Sequence, residues 1–381
     1  MRRPFLVFAL ALLPWPALAQ SSQWSARGFG LPGRELSARA MATGGGFALF
    51  DETSSRNPAS ISALQGFTAS FTGLQNWRTS ENPAGDGSVR TNRFPQMLVG
   101  GQLGRRLIWL AGSISTYTDR DFRFASVDTI ELRGEPVEVF DTTGSTGGLN
   151  DLRLAAAWSA TPTFRVGGAV HAVTGSNRLT VDRGFGDSLY GPVSESAELE
   201  FTAFGVSAGL WYAPSPSLAV AAMARFDGTT DIQVDSSDTN LTRAGLPATL
   251  SGGVLYTPNQ SLFVAGQVTW RGWSRSSEGF EAIGGTGASD TFEAALGVEI
   301  LGDPDRPRHL PIRAGIHWTQ LPFQLELGGE PTEFGISAGS GLRFARDRGG
   351  LDLALERTWR SEGSDYKESA WLLTVGVTVR P

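Results

Sequence analysis

The chain has 381 residues, of which 48 are glycine and none is cysteine, and a formal net charge of −6. Without cysteine there is no disulfide framework, no thiolate metal site and no lipid-modified cysteine behind a leader. The mildly acidic balance carries no footprint for nucleic acid.

Arg2 and Arg3 precede an apolar run from Phe5 to about Leu13, and Pro14-Trp15-Pro16 and Ala17-Leu18-Ala19 follow. This order predicts a signal peptide over 1–19, cleaved before Gln20, which leaves the mature chain at −8. The run is shorter than the ~20 residues of a spanning helix, so export rather than anchoring is expected. Farther on, no apolar stretch approaches the ~18 residues of such a helix. If the chain crosses a membrane it must therefore do so as a closed barrel, the other fold that pairs every backbone group internally.

Residues 20–65 are glycine-rich and do not alternate, and they end in Asp51-Glu52-Thr53-Ser54-Ser55-Arg56-Asn57-Pro58-Ala59. They predict a compact segment that folds back into the barrel as a hatch or plug. From residue 66 to 381 the organising signal is period-two alternation. In the last strand Trp371, Leu373, Val375, Val377 and Val379 oppose Thr374, Gly376, Thr378 and Arg380. Likewise Phe292, Leu296, Val298 and Ile300 oppose Glu293, Gly297 and Glu299.

The pattern predicts an all-β fold, a transmembrane antiparallel barrel of about 14 strands. Their expected spans are 66–79, 93–104, 106–119, 148–160, 163–176, 197–213 and 217–228 in the first half. In the second half they are 244–257, 260–274, 290–302, 310–321, 333–345, 350–360 and 366–380. Connections alternate between short (near Gly104-Arg105, Thr161-Pro162, Pro214-Ser215-Pro216, Thr257-Pro258-Asn259, 302–309 and Asp347-Arg348) and long. The long ones are 80–92, 120–147, 177–196, 229–243, 275–289 and 322–332, with a shorter one at 361–365. Short turns belong to the periplasm and long loops to the outside, so both chain ends are expected on the periplasmic side of the cell outer membrane.

Trp158 and Trp211 near the short turns, and Trp77, Trp273, Trp318, Trp359 and Trp371 near the long loops, predict two aromatic girdles. Arg165, Arg271, Arg313, Arg343, Glu293, Glu299 and Glu356 fall on the polar face. They should therefore meet a polar lumen and pair across strands, because charge facing lipid is costly. One strand has two apolar faces, Leu107-Ile108-Trp109-Leu110-Ala111-Gly112-Ser113-Ile114. Placing Leu107, Trp109 and Ala111 toward lipid turns Ile108, Leu110 and Ile114 inward. Such a strip suits either a hydrophobic ligand path or packing against a plug.

Gly28-Phe29-Gly30, Gly44-Gly45-Gly46-Phe47-Ala48 and, above all, Ser55-Arg56-Asn57-Pro58-Ala59 just before the first strand resemble the outer-membrane long-chain fatty acid transporter family, which includes aromatic-hydrocarbon porins. The resemblance implies a fourteen-strand barrel occluded by an N-terminal hatch that shifts to pass a hydrophobic small molecule or lipid. Arg56, Asn57, Pro58 and Ala59 would lie in that hatch. Asn can bind local backbone groups and Pro fixes φ, which suits a rigid turn. Family barrels generally end on an aromatic residue read by the barrel assembly machinery, whereas this chain ends Val377-Thr378-Val379-Arg380-Pro381. Leu321-Pro322-Phe323-Gln324, Glu333-Phe334-Gly335-Ile336-Ser337 and Leu353-Ala354-Leu355-Glu356 resemble the smaller PorV-like branch. That likeness implies the alternative, a barrel in the outer-membrane lipids that docks secreted or assembly proteins.

No enzyme, metal or cofactor is expected. Gly205-Val206-Ser207-Ala208-Gly209 and Gly335-Ile336-Ser337-Ala338-Gly339 match a nucleophile elbow in letters only, since an elbow needs a strand-to-helix turn and both lie mid-strand. His171, His309 and His317 have no metal spacing. Asp227, Asp231, Asp235 and Asp238 lack the twelve-residue calcium loop. Gly44-Gly45-Gly46 follows no strand, so it is no nucleotide loop.

Overall fold

A computed structural model describes residues 22–381 apart from 84, 105–106, 235–238, 283–284, 302–309 and 327. The expected signal peptide, the short connection 302–309, His309, Asp235 and Asp238 lie outside the described residues. Fourteen antiparallel strands close into one barrel. On one side of it stand β1 (Thr68–Asn82), β2 (Gly85–Gln102), β3 (Ile108–Asp119), β4 (Glu135–Thr161), β5 (Phe164–Phe185), β6 (Val193–Ser215) and β7 (Leu218–Asp227). The remainder are β8 (Ala248–Tyr256), β9 (Leu262–Gly272), β10 (Thr291–Ile300), β11 (Ile312–Gln320), β12 (Thr332–Phe344), β13 (Gly349–Glu362) and β14 (Tyr366–Val379). Each strand pairs with the next, and β14 closes on β1 with Trp371 opposite Trp77.

Alternation sets the two faces as expected. Phe292, Leu296, Ile316, Leu353, Trp371 and Val377 are exposed on the outside. Glu293, Glu299, Arg313, His317, Glu356 and Thr374 are buried inside. An apolar outer face around a polar interior is the arrangement a bilayer requires. Two tryptophans depart from the expected girdles. Trp273 is fully buried and Trp211 turns inward, where Arg165 lies 4.2 Å over its ring. Trp77, Trp158, Trp318, Trp359 and Trp371 do face outward.

Several expected long loops are strand extensions. β4, at 27 residues, far exceeds the ~9–11 that cross a bilayer, and β5 and β6 run beyond it too. A strand over Phe122–Leu132 forms a hairpin with the first part of β4. Strands Thr229–Val234 and Thr239–Gly245 pair with each other, and the first also pairs with the outer part of β6. The loop 275–289 holds a short helix, Ser277–Glu281.

The N-terminal segment lies inside the barrel. It starts beneath the outer loops, where the Ser22 hydroxyl and Gln23 N–H donate to Glu368 and Trp24 Nε1 donates to Glu362 at 3.0 Å. It then descends and crosses the inner half as α1 (Ala38–Ala42) and a 3-10 turn over Pro58–Ala63.

Candidate functional site

The wall is shaped to receive the segment. A side chain at Gly167 would meet the Pro58 carbonyl carbon at 2.5 Å, and one at Gly209 would meet Asn57 Oδ1 at 2.0 Å. Both positions face inward in extended strands, so the glycines are needed there for close approach. Asn57 is fully buried and its side chain makes three hydrogen bonds. Its Oδ1 accepts from Ala59 N–H at 3.0 Å, capping the 3-10 turn, while Nδ2 donates to the carbonyls of Leu49 at 2.9 Å and Leu210 of β6 at 3.3 Å. Arg56, Asn57, Pro58 and Ala59 thus all lie within the lumen, against the wall.

Ion pairs hold the rest of the segment. Arg34 meets Glu356 at 2.7 Å, Arg39 meets Glu299 at 2.6 Å, and Arg56 meets Glu293 at 3.0 Å. Glu35 accepts from Arg225 at 3.1 Å. Five of the seven expected lumenal charges pair across strands, Arg271 with Glu293, Arg313 with Glu299 and Asp352, and Arg343 with Asp352, whereas Arg165 stacks on Trp211 and Glu356 pairs with Arg34 of the segment. Sequence reasoning missed that the segment itself supplies a partner to many of these wall carboxylates.

Four apolar clusters lie along the inner wall among the described residues, and two of them are large. The inner one joins Ile61 and Leu64 of the segment to Leu98, Trp109, Ala111, Ala155, Ala157 and Ala169. Here the phase of β3 is opposite to the expected one. Leu110 and Ile114 are 46 % and 49 % exposed on the lipid side and Ile108 is half-buried on the same face, whereas Trp109 and Ala111 point inward. Trp109 Nε1 donates to the Leu64 carbonyl at 3.1 Å, so the inward strip packs against the segment. A strand apolar on both faces cannot be phased by alternation alone, and the buried indole N–H decides it. The outer cluster lies under the long loops. Phe29 of the segment joins Phe201 of β6, Trp273 after β9, Phe280 of the loop helix, and Phe323.

Between the clusters the lumen is polar. Asp151, Arg153, His171, Ser207 and Arg225 face each other from β4 to β7. His171 Nε2 lies 2.8 Å from Ser207 Oγ and its Nδ1 lies 2.9 Å from Asp151. These are the distances of a hydrolytic triad, but Ser207 sits in mid-ladder opposite Ala169 and Arg225. Neighbouring N–H groups there are committed to strand pairing, so no oxyanion hole can be assembled as it is at an elbow. The second match, Ser337, donates to the Ala42 carbonyl at 3.1 Å and serves to seat α1.

Among the described residues, the junction of β2 and β3 forms a seam in the wall. β1–β2 pairing extends to Asn82/Gly85 and β3–β4 pairing to Asp119/Gly148, but the β2–β3 ladder stops at Gln96/Ser115. Pro95, which has no N–H to give a ladder, lies at the register shift of β2. Above that point the free edge of β3 pairs with the N-terminal segment, Leu31 opposite Asp119 and Pro32 opposite Thr118, and Gly33 N–H donates to the Tyr117 carbonyl at 2.8 Å. Arg93 of β2 spans the seam to Asp119 at 2.8 Å and also reaches Asp121. A cavity of about 50 Å³ borders Leu31–Arg34 on the lumen side.

No family model and no curated protein matches the chain. Solved structures do match along nearly its whole length. The CymD monoaromatic hydrocarbon channel aligns over 92 % of this chain and 98 % of its own, with 16 % identity and a TM-score of 0.58. The Pseudomonas putida toluene transporter TodX aligns over 93 % and 100 %, with 15 % identity and a TM-score of 0.58. A Pseudomonas aeruginosa FadL homologue aligns over 92 % and 98 %, with 14 % identity and a TM-score of 0.59. The fold is thus the one these outer-membrane channels share.

Proposed function

We propose that this barrel passes small hydrophobic molecules across the outer membrane, with the N-terminal segment as its hatch. The observation that carries the reading is the outer aromatic cluster, a desolvated apolar site beneath the extracellular loops that the segment itself completes with Phe29. Such a site suits an apolar ligand. The shared fold with channels named for toluene and monoaromatic hydrocarbons supports the same class of cargo.

The way out follows from polarity. Straight down the axis, an apolar molecule would have to cross Asp151, Arg153, His171 and Arg225, and each of these is buried. Displacing their charge-assisted bonds without replacing them is unfavourable by several kcal/mol, on the order of 3–5 for a buried pair. The seam between β2 and β3 begins just above this belt and faces lipid. We therefore read the route as capture in the outer cluster and release sideways through the seam. The test is uptake of a hydrophobic probe by proteoliposomes holding the intact barrel. Uptake above protein-free vesicles supports the reading, and equal uptake refutes it.

A further inference from the structure

We propose that the strand Phe122–Leu132 is a self-complementary edge, and that two copies of this chain pair along it, antiparallel, about a two-fold axis at Val127. This pairing is independent of passage through the lumen.

The strand has a neighbour on one side only. It pairs with β4 from Phe122 opposite Ser145 to Leu132 opposite Glu135 without a register shift, and among the described residues this ladder is its one pairing. Every residue from Arg123 to Thr129 is exposed, with Val127 at 62 % in the middle. Open sheet edges are normally guarded by lysine, proline or a bulge. This one has none of the three over its 11 residues.

The free backbone groups have a fixed phase. Arg133-Gly134 is a two-residue turn at φ +57° and +86°, so Leu132 and Glu135 beside it exchange both backbone hydrogen bonds. From there the even-numbered residues of the strand turn their N–H and C=O toward β4, and the odd-numbered ones turn theirs to the open edge. Two contacts agree. The Glu138 carbonyl, opposite Thr129, accepts from Gly186 N–H on the β5 side at 2.8 Å. The Thr129 N–H, with no strand in front of it, donates to Asp128 Oδ1 at 2.7 Å.

A second copy laid antiparallel with Val127 opposite itself brings odd residues against odd, as the free groups require. Arg123 then lies opposite Glu131 of the second copy, and the two-fold repeats this pair at the other end. On the opposite face Phe124 meets Ile130, Phe122 meets Leu132, and Ser126 reaches Asp128. A slip of one residue breaks the odd-to-odd match. Slips of two set like charges together, which is destabilising. One such slip puts Asp121 opposite Glu131 and Phe124 opposite Asp128, and the other puts Asp128 opposite itself and Arg123 opposite Arg133. The strand thus specifies its own register.

The chain has no cysteine, so one introduced thiol reports the pairing in the intact barrel purified in detergent, where copies are free to take either orientation. Hydrogen-bonded pairs hold their Cα atoms ~5.5 Å apart, within disulfide reach. Under mild oxidation Val127→Cys should form a linked dimer about tenfold or more faster than Leu189→Cys, which is 86 % exposed and reports chance collision. Sedimentation of the unmodified chain should show a concentration-dependent dimer. Glu131→Arg turns two attractions into two repulsions and should weaken that dimer about tenfold, and adding Arg123→Glu should restore it. Val127→Pro should abolish it, because proline removes an edge N–H without touching the ladder to β4. Preserved heat-modifiable migration checks that each variant remains a closed barrel. A monomer at every concentration, or Val127→Cys no faster than Leu189→Cys, overturns the proposal. A dimer insensitive to Glu131→Arg, or one that Arg123→Glu fails to restore, overturns it as well.

Discussion

Replacing Asn57 with alanine should loosen the hatch without unfolding the barrel. The side chain caps the Pro58–Ala63 turn through Ala59 N–H and ties it to Leu49 and Leu210. Loss of the cap is worth about 1 kcal/mol. The two bonds to carbonyls add about 0.5–1 kcal/mol each, the longer one to Leu210 at the low end. The docked state should then weaken by roughly 2–3 kcal/mol, a shift of roughly 30- to 150-fold toward the undocked turn. None of these bonds belongs to the strand ladder, so heat-modifiable migration should be retained. A cysteine at buried Ala48, beside Leu49, reports the change through its alkylation rate. Gly209→Ala offers the same displacement from the other side, because the added methyl would meet Asn57 Oδ1 while the strand itself tolerates alanine. An alkylation rate unchanged by both substitutions, with the barrel correctly inserted, would refute the view that this turn locks the hatch.

Other consequences can be tested alongside. Glu293→Gln leaves Arg56 and Arg271 without their shared carboxylate, which should destabilise hatch docking by about 3–5 kcal/mol and show as faster proteolysis of the segment. Arg93→Ala removes a partly exposed pair at the seam, worth about 1 kcal/mol or less, and should raise probe leak most at low salt. Ser207→Ala should leave uptake and migration unchanged and reveal no lost ester hydrolysis, while a hydrolase activity that vanishes in this variant would support a triad of Ser207, His171 and Asp151. Tags in 122–147 and 186–192 should label on intact cells, and tags at 162–163 or 257–259 should not. The reverse pattern would invert the orientation.

Much of the barrel was legible because one face of each strand meets lipid, so alternation reports the fold directly. The fourteen strands and their order follow from it, and so does the inward placement of Glu293, Glu299, Arg313 and Glu356. Alternation carries no phase where both faces are apolar, so the expected phase of β3 about Trp109 is the reverse of the one in the structure. It also could not separate a girdle tryptophan from Trp273, which turns inward at the end of β9 to meet Phe29. The outer hairpin at 122–147 has its own local signal, since Arg133-Gly134, at φ +57° and +86°, is a two-residue turn between Leu132 and Glu135. In the N-terminal segment, Arg56-Asn57-Pro58-Ala59 stands out in the sequence. Its partners do not, because Gly167, Gly209 and Leu210 come together only when the barrel closes. The seam was invisible for the same reason, being a statement about which strand edge Leu31 and Pro32 occupy.

A reversible tether across the seam tests passage by hatch movement most directly. Pro32→Cys with Thr118→Cys places the only two thiols of the chain on paired positions of the segment and β3. Paired positions of this kind hold their Cβ atoms ~4.5–5.5 Å apart, within reach of a disulfide after a small adjustment. Oxidised, the barrel should lose uptake of a hydrophobic probe into proteoliposomes, and reduction should restore it to the level of the untethered protein. Equal uptake in the oxidised and reduced forms, with the disulfide verified, would contradict the account.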